Sequence, residues 1–119
     1  MTSLEFSLTL PRFEDPGDRD PFRRTYEFAR HVESVGFATG FVGHHSFTPE
    51  TKDPSAPFLL LAAIAARTER LRLGTGVFLG ALHHPIALCE QVSTLDQLSG
   101  GRAVLGLGTG YREYEFEAY

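Results

Sequence analysis

Tryptophan is absent from the 119 residues, and cysteine and methionine occur once each. The lone Cys89 excludes an internal disulfide, so a hydrophobic core must hold the fold without a covalent staple. Positive charge is scarce as well: 11 basic residues stand against 15 acidic ones, for a formal net charge of −4. No basic stripe offers a track to a phosphate backbone, and nucleic acid is not an expected partner. Long apolar runs are also missing. The longest, from Phe58 to Ala66, falls well short of the ~20 residues that cross a bilayer, so no membrane partner is expected. The opening MTSLEFSLTL has no basic start followed by an apolar run, so no signal peptide is read and a cytoplasmic location is expected.

What is present is 42% hydrophobic and 22% charged residues, the balance of one globular domain. Leu4, Phe6, Leu8 and Leu10 alternate with polar residues and predict a first strand. Pro11 to Pro21 reads as a loop. Pro21 then opens a helix whose Phe22, Tyr26, Ala29, Val32 and Val35 recur at helical spacing until Gly36. Phe41-Val42-Gly43 predicts a second strand running into His44-His45, followed by a polar loop with Pro49, Pro54 and Pro57. Phe58 to Arg67 predicts a well-covered helix, and Leu71 to Leu79 a third strand interrupted by Gly74 and Gly76. Pro85 opens a third helix with Leu88, Val92, Leu95 and Leu98 on its apolar stripe and Cys89 in its core, and Ser99-Gly100-Gly101 stops it. Ala103 to Leu107 is a short apolar run, expected to be a strand covered on both faces.

Helices between consecutive strands force a parallel sheet with right-handed crossovers. An open doubly wound sheet and part of a (β/α)8 barrel both fit. In either, ligands gather at the C-terminal ends of the strands. That rule selects four places: the residues after Leu10, His44-His45, Gly76 to His84 and Gly106 to Gly110. Adjacent histidines leave opposite faces of an extended strand, so they do not share a metal, and no spacing completes a metal site. One of them, with His44 nearer the strand, can enter the pocket as acid, base or donor, or can cap backbone groups instead. His83-His84-Pro85 reads as helix-start chemistry. Gly106-Leu107-Gly108-Thr109-Gly110 is not a dinucleotide fingerprint, because its third glycine comes one residue early. Those glycines either open the strand mouth to a flat ring or serve close packing. Glu113, Glu115 and Glu117 read as a solvated face.

Several strings together carry a family resemblance. They are Gly36-Phe37, Phe41 to His45, Ala65 to Thr75, His84-Pro85, Thr94 to Arg102, Gly106 to Gly110, and Glu115-Phe116 with Ala118. With them the chain resembles the N-terminal half of the bacterial luciferase-like flavin-dependent monooxygenases, a (β/α)8 family with coenzyme F420-dependent relatives. The resemblance implies a half-barrel over residues 1–119, comprising the first four βα units. It implies reduced FMN, or alternatively F420, at the strand mouth: with FMN, oxygenation of a small organic substrate by O2; with F420, hydride transfer. His44 falls at the family's active-site histidine, Gly76-Val77 at a non-prolyl cis peptide beside the ring, and Gly108 and Thr109 at ring-contacting positions. Gly43 replaces an acidic residue frequent in the family. Gly108 replaces a luciferase cysteine, so light emission is not implied. A half-barrel is expected to show weak activity or none by itself and to need a second half-barrel or a homo-oligomer. A non-catalytic association module and a Rossmann-like nucleotide binder are the other readings considered.

Overall fold

The computed structural model describes residues 4–12, 17, 19–20, 22–47 and 54–119. Pro21, the expected helix opener, and Pro49 lie outside the described residues, as does the start of the N-terminal segment. The elements alternate as expected: β1 (Ser7–Thr9), α1 (Arg23–Ser34), β2 (Thr39–Val42), α2 (Pro57–Ala65), β3 (Arg72–Thr75), β4 (Phe78–Leu79), a 3-10 turn (Gly80–Leu82), α3 (Pro85–Ser99), β5 (Ala103–Val104), β6 (Leu107–Gly108) and α4 (Glu113–Ala118). Every strand pair is parallel. β1, β2, β3 and β5 form one sheet in that order, and β4 pairs with β6.

The third and fourth strands of the sequence reading are each broken in two, and the breaks face each other. Gly76 and Val77 separate β3 from β4, and their peptide bond is cis. Leu105 and Gly106 separate β5 from β6. Thr75 bridges the gap: its hydroxyl donates to the Gly106 carbonyl (2.9 Å) and accepts from the Gly106 N–H (3.1 Å). The glycines inside the strands answer to close packing. A Cβ on Gly40 would lie 2.7 Å from the Leu10 side chain, and one on Gly74 would lie 2.5 Å from the Phe41 ring.

The core lies between the sheet and α1–α3. Ala29, Val32, Leu61, Ile64, Leu71, Leu73, Phe78, Leu88 and Leu95 are buried there. Helical period decides which apolar residues take part. On α3 the inward positions are Leu88, Val92, Leu95 and Ser99, so Leu98 is 66% exposed rather than part of the stripe. Cys89, one step of 100° around from Leu88, is likewise exposed and not a core residue. Ala103 and Val104 are half-buried, and Leu105 and Leu107 are 39% and 55% exposed. The expected coverage on both faces is therefore not found. β5 is the outer strand of its sheet, paired only with β3, and the chain leaves the ladder at Leu105.

The N-terminal ends of the strands are tied by two polar clamps. Arg102, just past the helix stop at Gly100 (φ 68°) and Gly101 (φ 83°), donates to the carbonyls of Ser99, Ala65 and Leu71 and to the Thr68 hydroxyl, at 2.6–3.0 Å. Asp96 and Ser99 accept the backbone N–H groups of Ala103 and Arg102. The Leu-Asp-x-Leu-Ser-Gly-Gly-Arg string is thus a device for seating α3 and β5 against the end of α2. Opposite it, one oxygen of Glu33 accepts three successive backbone N–H groups, from Glu69, Arg70 and Leu71 (2.9, 2.6 and 2.7 Å).

Candidate active site

At the C-terminal ends of the strands a recess of about 620 Å³ opens between β2, the Gly76–Val77 bend and the segment after β6. Thr9, Gly43, His44, His45, Gly76, Val77, Leu79 and Gly108 to Tyr111 line it. All five residues picked out from the sequence, His44, Gly76, Val77, Gly108 and Thr109, meet here. A larger recess, about 750 Å³, runs along α1 to the loop before β3, but its walls are surface arginines and glutamates, and Glu33 is already committed there.

His44 leaves the end of β2 and is only 2% exposed. Its ring stacks on Phe78 (centroids 4.6 Å apart, 15° between planes), and the His83 ring lies 5.4 Å away. The Leu79 N–H donates to its Nδ1 at 3.2 Å. A backbone N–H can only donate, so Nδ1 carries no proton and Nε2–H is the tautomer present. Burial, then the neighbouring His83, push the imidazole from its ordinary 6.5 down to about 4. The Ser55 carbonyl favours the charged form without meeting Nε2 in a hydrogen bond, and Nε2 stays buried and unpartnered. His44 is therefore a neutral, fixed ring at physiological pH. His83, read from sequence as helix-start chemistry, packs instead on Phe78 and His44, and burial pushes its imidazole down too. His84 does perform the expected cap, its Nδ1 accepting the Ile86 N–H at 3.3 Å.

The sequence reading missed Glu115. Taken as one of three solvated glutamates, it is 0% exposed. The reason is periodicity: on the helix α4, residues 113 and 117 share a face, while 115 points the other way. Its Oε1 accepts the Ser46 N–H (2.7 Å) and meets His45 Nδ1 (3.3 Å), and its Oε2 is buried without a partner. A helix of six residues is too short to show that period in the sequence YREYEFEAY. Tyr119 closes the same contact, its hydroxyl 3.0 Å from Ser46 Oγ and its ring against His83.

The recess suits a flat ring with polar edges. Gly76 and Gly108 present backbone rather than side chain, and a Cβ on Gly108 would lie 2.5 Å from Val77 Cγ2. Val77 offers an exposed apolar surface, while the Thr109 hydroxyl, whose one internal contact is 3.5 Å long, is free to bind outward. Among the described residues no three histidine, cysteine, aspartate or glutamate side chains gather as a metal site, and no helix is long and apolar enough to cross a membrane.

The chain is 42% identical over 101 residues to the 4-hydroxyprotoasukamycin monooxygenase of Streptomyces nodosus subsp. asukaensis, covering 84% of this chain and 26% of that protein. A monooxygenase from Streptomyces bottropensis superposes with a TM-score of 0.83 at 32% identity, covering 97% of this chain and 36% of that one. The oxygenating constituent of 3,6-diketocamphane monooxygenase from the CAM plasmid of Pseudomonas putida, a type II Baeyer–Villiger enzyme solved with FMN, gives 0.78 at 26% identity, covering 98% and 32%. The chain spans about a quarter to a third of the length of the curated relatives it matches, and its parallel strands correspond to part of a (β/α)8 barrel. The model of the luciferase-like monooxygenases matches residues 4–119, and the chain belongs to that family.

Proposed function

We propose that this chain supplies the ring-facing rim of a flavin-dependent monooxygenase acting with O2 on a small organic substrate. The observation that carries the reading is the meeting of His44, Gly76–Val77 and Gly108–Thr109 in one recess at the strand ends. Gly76, Val77, Gly108 and Thr109 would hold FMN, with backbone and an isopropyl group against the ring and a hydroxyl at its edge. When bound, reduced FMN supplies the electrons with which O2 oxygenates the substrate. His44 would form a neutral wall of the recess, its imidazole uncharged at physiological pH.

Leu105 and Leu107 leave apolar surface on the described chain uncovered. We infer that a second half-barrel or a second copy covers it in the active form, and that the chain alone is weakly active or inactive. Fluorescence titration with FMN, paired with light scattering on the same samples, tests both points. The expected result is FMN quenching that strengthens in the associated form. Binding of a deazaflavin such as F420 without FMN would move the reading to hydride transfer, and binding of neither would end it.

A further inference from the structure

The two adjacent histidines of the recess are held in opposite protonation patterns. His44 accepts at Nδ1 and is protonated at Nε2. His45 is the reverse. Its Nδ1 faces Glu115 Oε1, which accepts the Ser46 N–H at 2.7 Å, and an ionised carboxylate oxygen can only accept. Nδ1 of His45 must therefore donate, and in the neutral ring Nε2 is left as a bare lone pair. No protein group among the described residues bonds to that Nε2, and the half-buried ring lines the recess. The arrangement is that of an imidazole oriented from behind by a carboxylate.

We propose that His45, positioned by Glu115, is the proton acceptor of the recess. This goes beyond the flavin reading and rests on it for the identity of the ligand. An X–H group of a ligand reaching Nε2 passes its proton there while the bonding pair stays on X. The resulting imidazolium lies against the Glu115 carboxylate, whose unpartnered Oε2 leaves its charge under-compensated until that moment. The other groups facing His45 fit the role. His44 is neutral, and Tyr111 meets the ring edge-on at 5.9 Å while itself backed by Arg112 at 5.5 Å. His45 is thus the acting group and Glu115 its positioning residue, a division that leaves His44 to wall the site.

The 119-residue chain tests this without relying on turnover. In alkaline buffer, 15N NMR of the imidazoles, assigned with His44→Asn and His45→Gln, is expected to show Nδ1–H at His45 and Nε2–H at His44. Glu115→Leu should move His45 toward the Nε2–H form that free imidazole prefers, whereas Glu115→Gln, whose amide oxygen still accepts, should retain the native form. Nε2–H at His45 in the unaltered chain overturns the proposal, and that measurement decides even if Glu115→Leu does not fold. Diethylpyrocarbonate mapping by mass spectrometry provides the second readout, with the exposed His31 and His84 as internal references. His45 should react and His44 should not; modification of His44 before His45 also overturns it. FMN titration run alongside separates the two readings. Loss of FMN binding with the expected tautomers removes the flavin reading alone, and FMN binding with the wrong tautomer removes the dyad alone.

Discussion

At the N-terminal ends of the strands, Arg102 satisfies four acceptors and Glu33 three donors, and the polar atoms that join the loops there are spent on one another. At the C-terminal ends of the same strands, His44 Nε2, His83 Nε2 and Glu115 Oε2 are buried without a hydrogen bond among the described residues. A buried polar atom without a partner costs about 1–3 kcal/mol, so a rim that keeps three of them works against its own stability. On the proposed reading, the contrast separates residues that hold the sheet from residues of a binding rim. Substitutions at the closed rim should therefore move stability and spare binding, and those at the open rim should do the opposite.

The largest effect is expected from Arg102→Met. The thioether side chain fills similar space but leaves the carbonyls of Ala65, Leu71 and Ser99 and the Thr68 hydroxyl without their donor. The loss should be about 3 kcal/mol, read as a lowered urea midpoint, while the folded fraction binds FMN within about twofold of the parent. A weakened FMN affinity in molecules that remain folded would contradict the division between rims.

Next comes Glu33→Ala, at about 1–2 kcal/mol, smaller because two of the three N–H groups it releases, those of Glu69 and Arg70, lie at the surface. Burial raises this carboxyl, but the three backbone donors outweigh it and hold it below its ordinary 4.5. The stabilisation is complete above the unfolded value of 4.5 and is lost as the pH falls through the lower folded value. Urea midpoints below pH 4.5 should accordingly fall less steeply in Glu33→Ala than in the parent.

How much of this was readable in the sequence follows the same division. Element order and the helix stop at Gly100-Gly101 were legible because local chemistry determines them: a left-handed residue ends a helix whatever packs around it. The meeting of His44, Gly76 and Gly108 was legible through topology, since parallel strands bring their C-terminal ends together. Glu115 was not, because a six-residue helix after a glycine-rich segment shows no sustained period, and alternate glutamates look like a strand's wet face. Leu98 and Cys89 were misplaced by about 100° of helical phase, an error that composition cannot correct while Ser99, a polar residue, takes the inward position. The function of Arg102 could be recognised as part of a string but not explained, because its acceptors come from three separate segments.

The open rim has its own acid signature, separated in pH from that of Glu33. His44 is held near 4 in the fold against 6.5 in the unfolded chain, so the unfolded state takes up a proton first as the pH drops. Stability is unaffected above 6.5 and declines between 6.5 and 4. His44→Asn keeps an acceptor for the Leu79 N–H but cannot titrate. Thermal midpoints of that variant should run flatter than the parent's across this window, and an equally steep decline would mean that His44 is not the buried neutral ring described.

The smallest change in stability should accompany the sharpest change in binding. A methyl group on Gly108 would lie 2.5 Å from Val77 Cγ2, so Gly108→Ala must turn or displace a side chain that is already half out in solvent. That adjustment should cost about 1 kcal/mol: the β-branched valine is stiff at χ1 and must leave its rotamer, but the methyl group it moves faces solvent. It also drives the isopropyl group into the space where a flat ring would lie, so FMN affinity should drop by about tenfold or more. Gly106→Ala is the control on the same segment: its Cβ would meet the Thr75 carbonyl oxygen at 2.3 Å, a backbone atom in the bridge between the broken strands. That variant should lose stability. If Gly108→Ala behaves like Gly106→Ala, the glycines after β5 serve packing alone; if affinity falls while the urea midpoint holds, Gly108 is kept bare for the ligand.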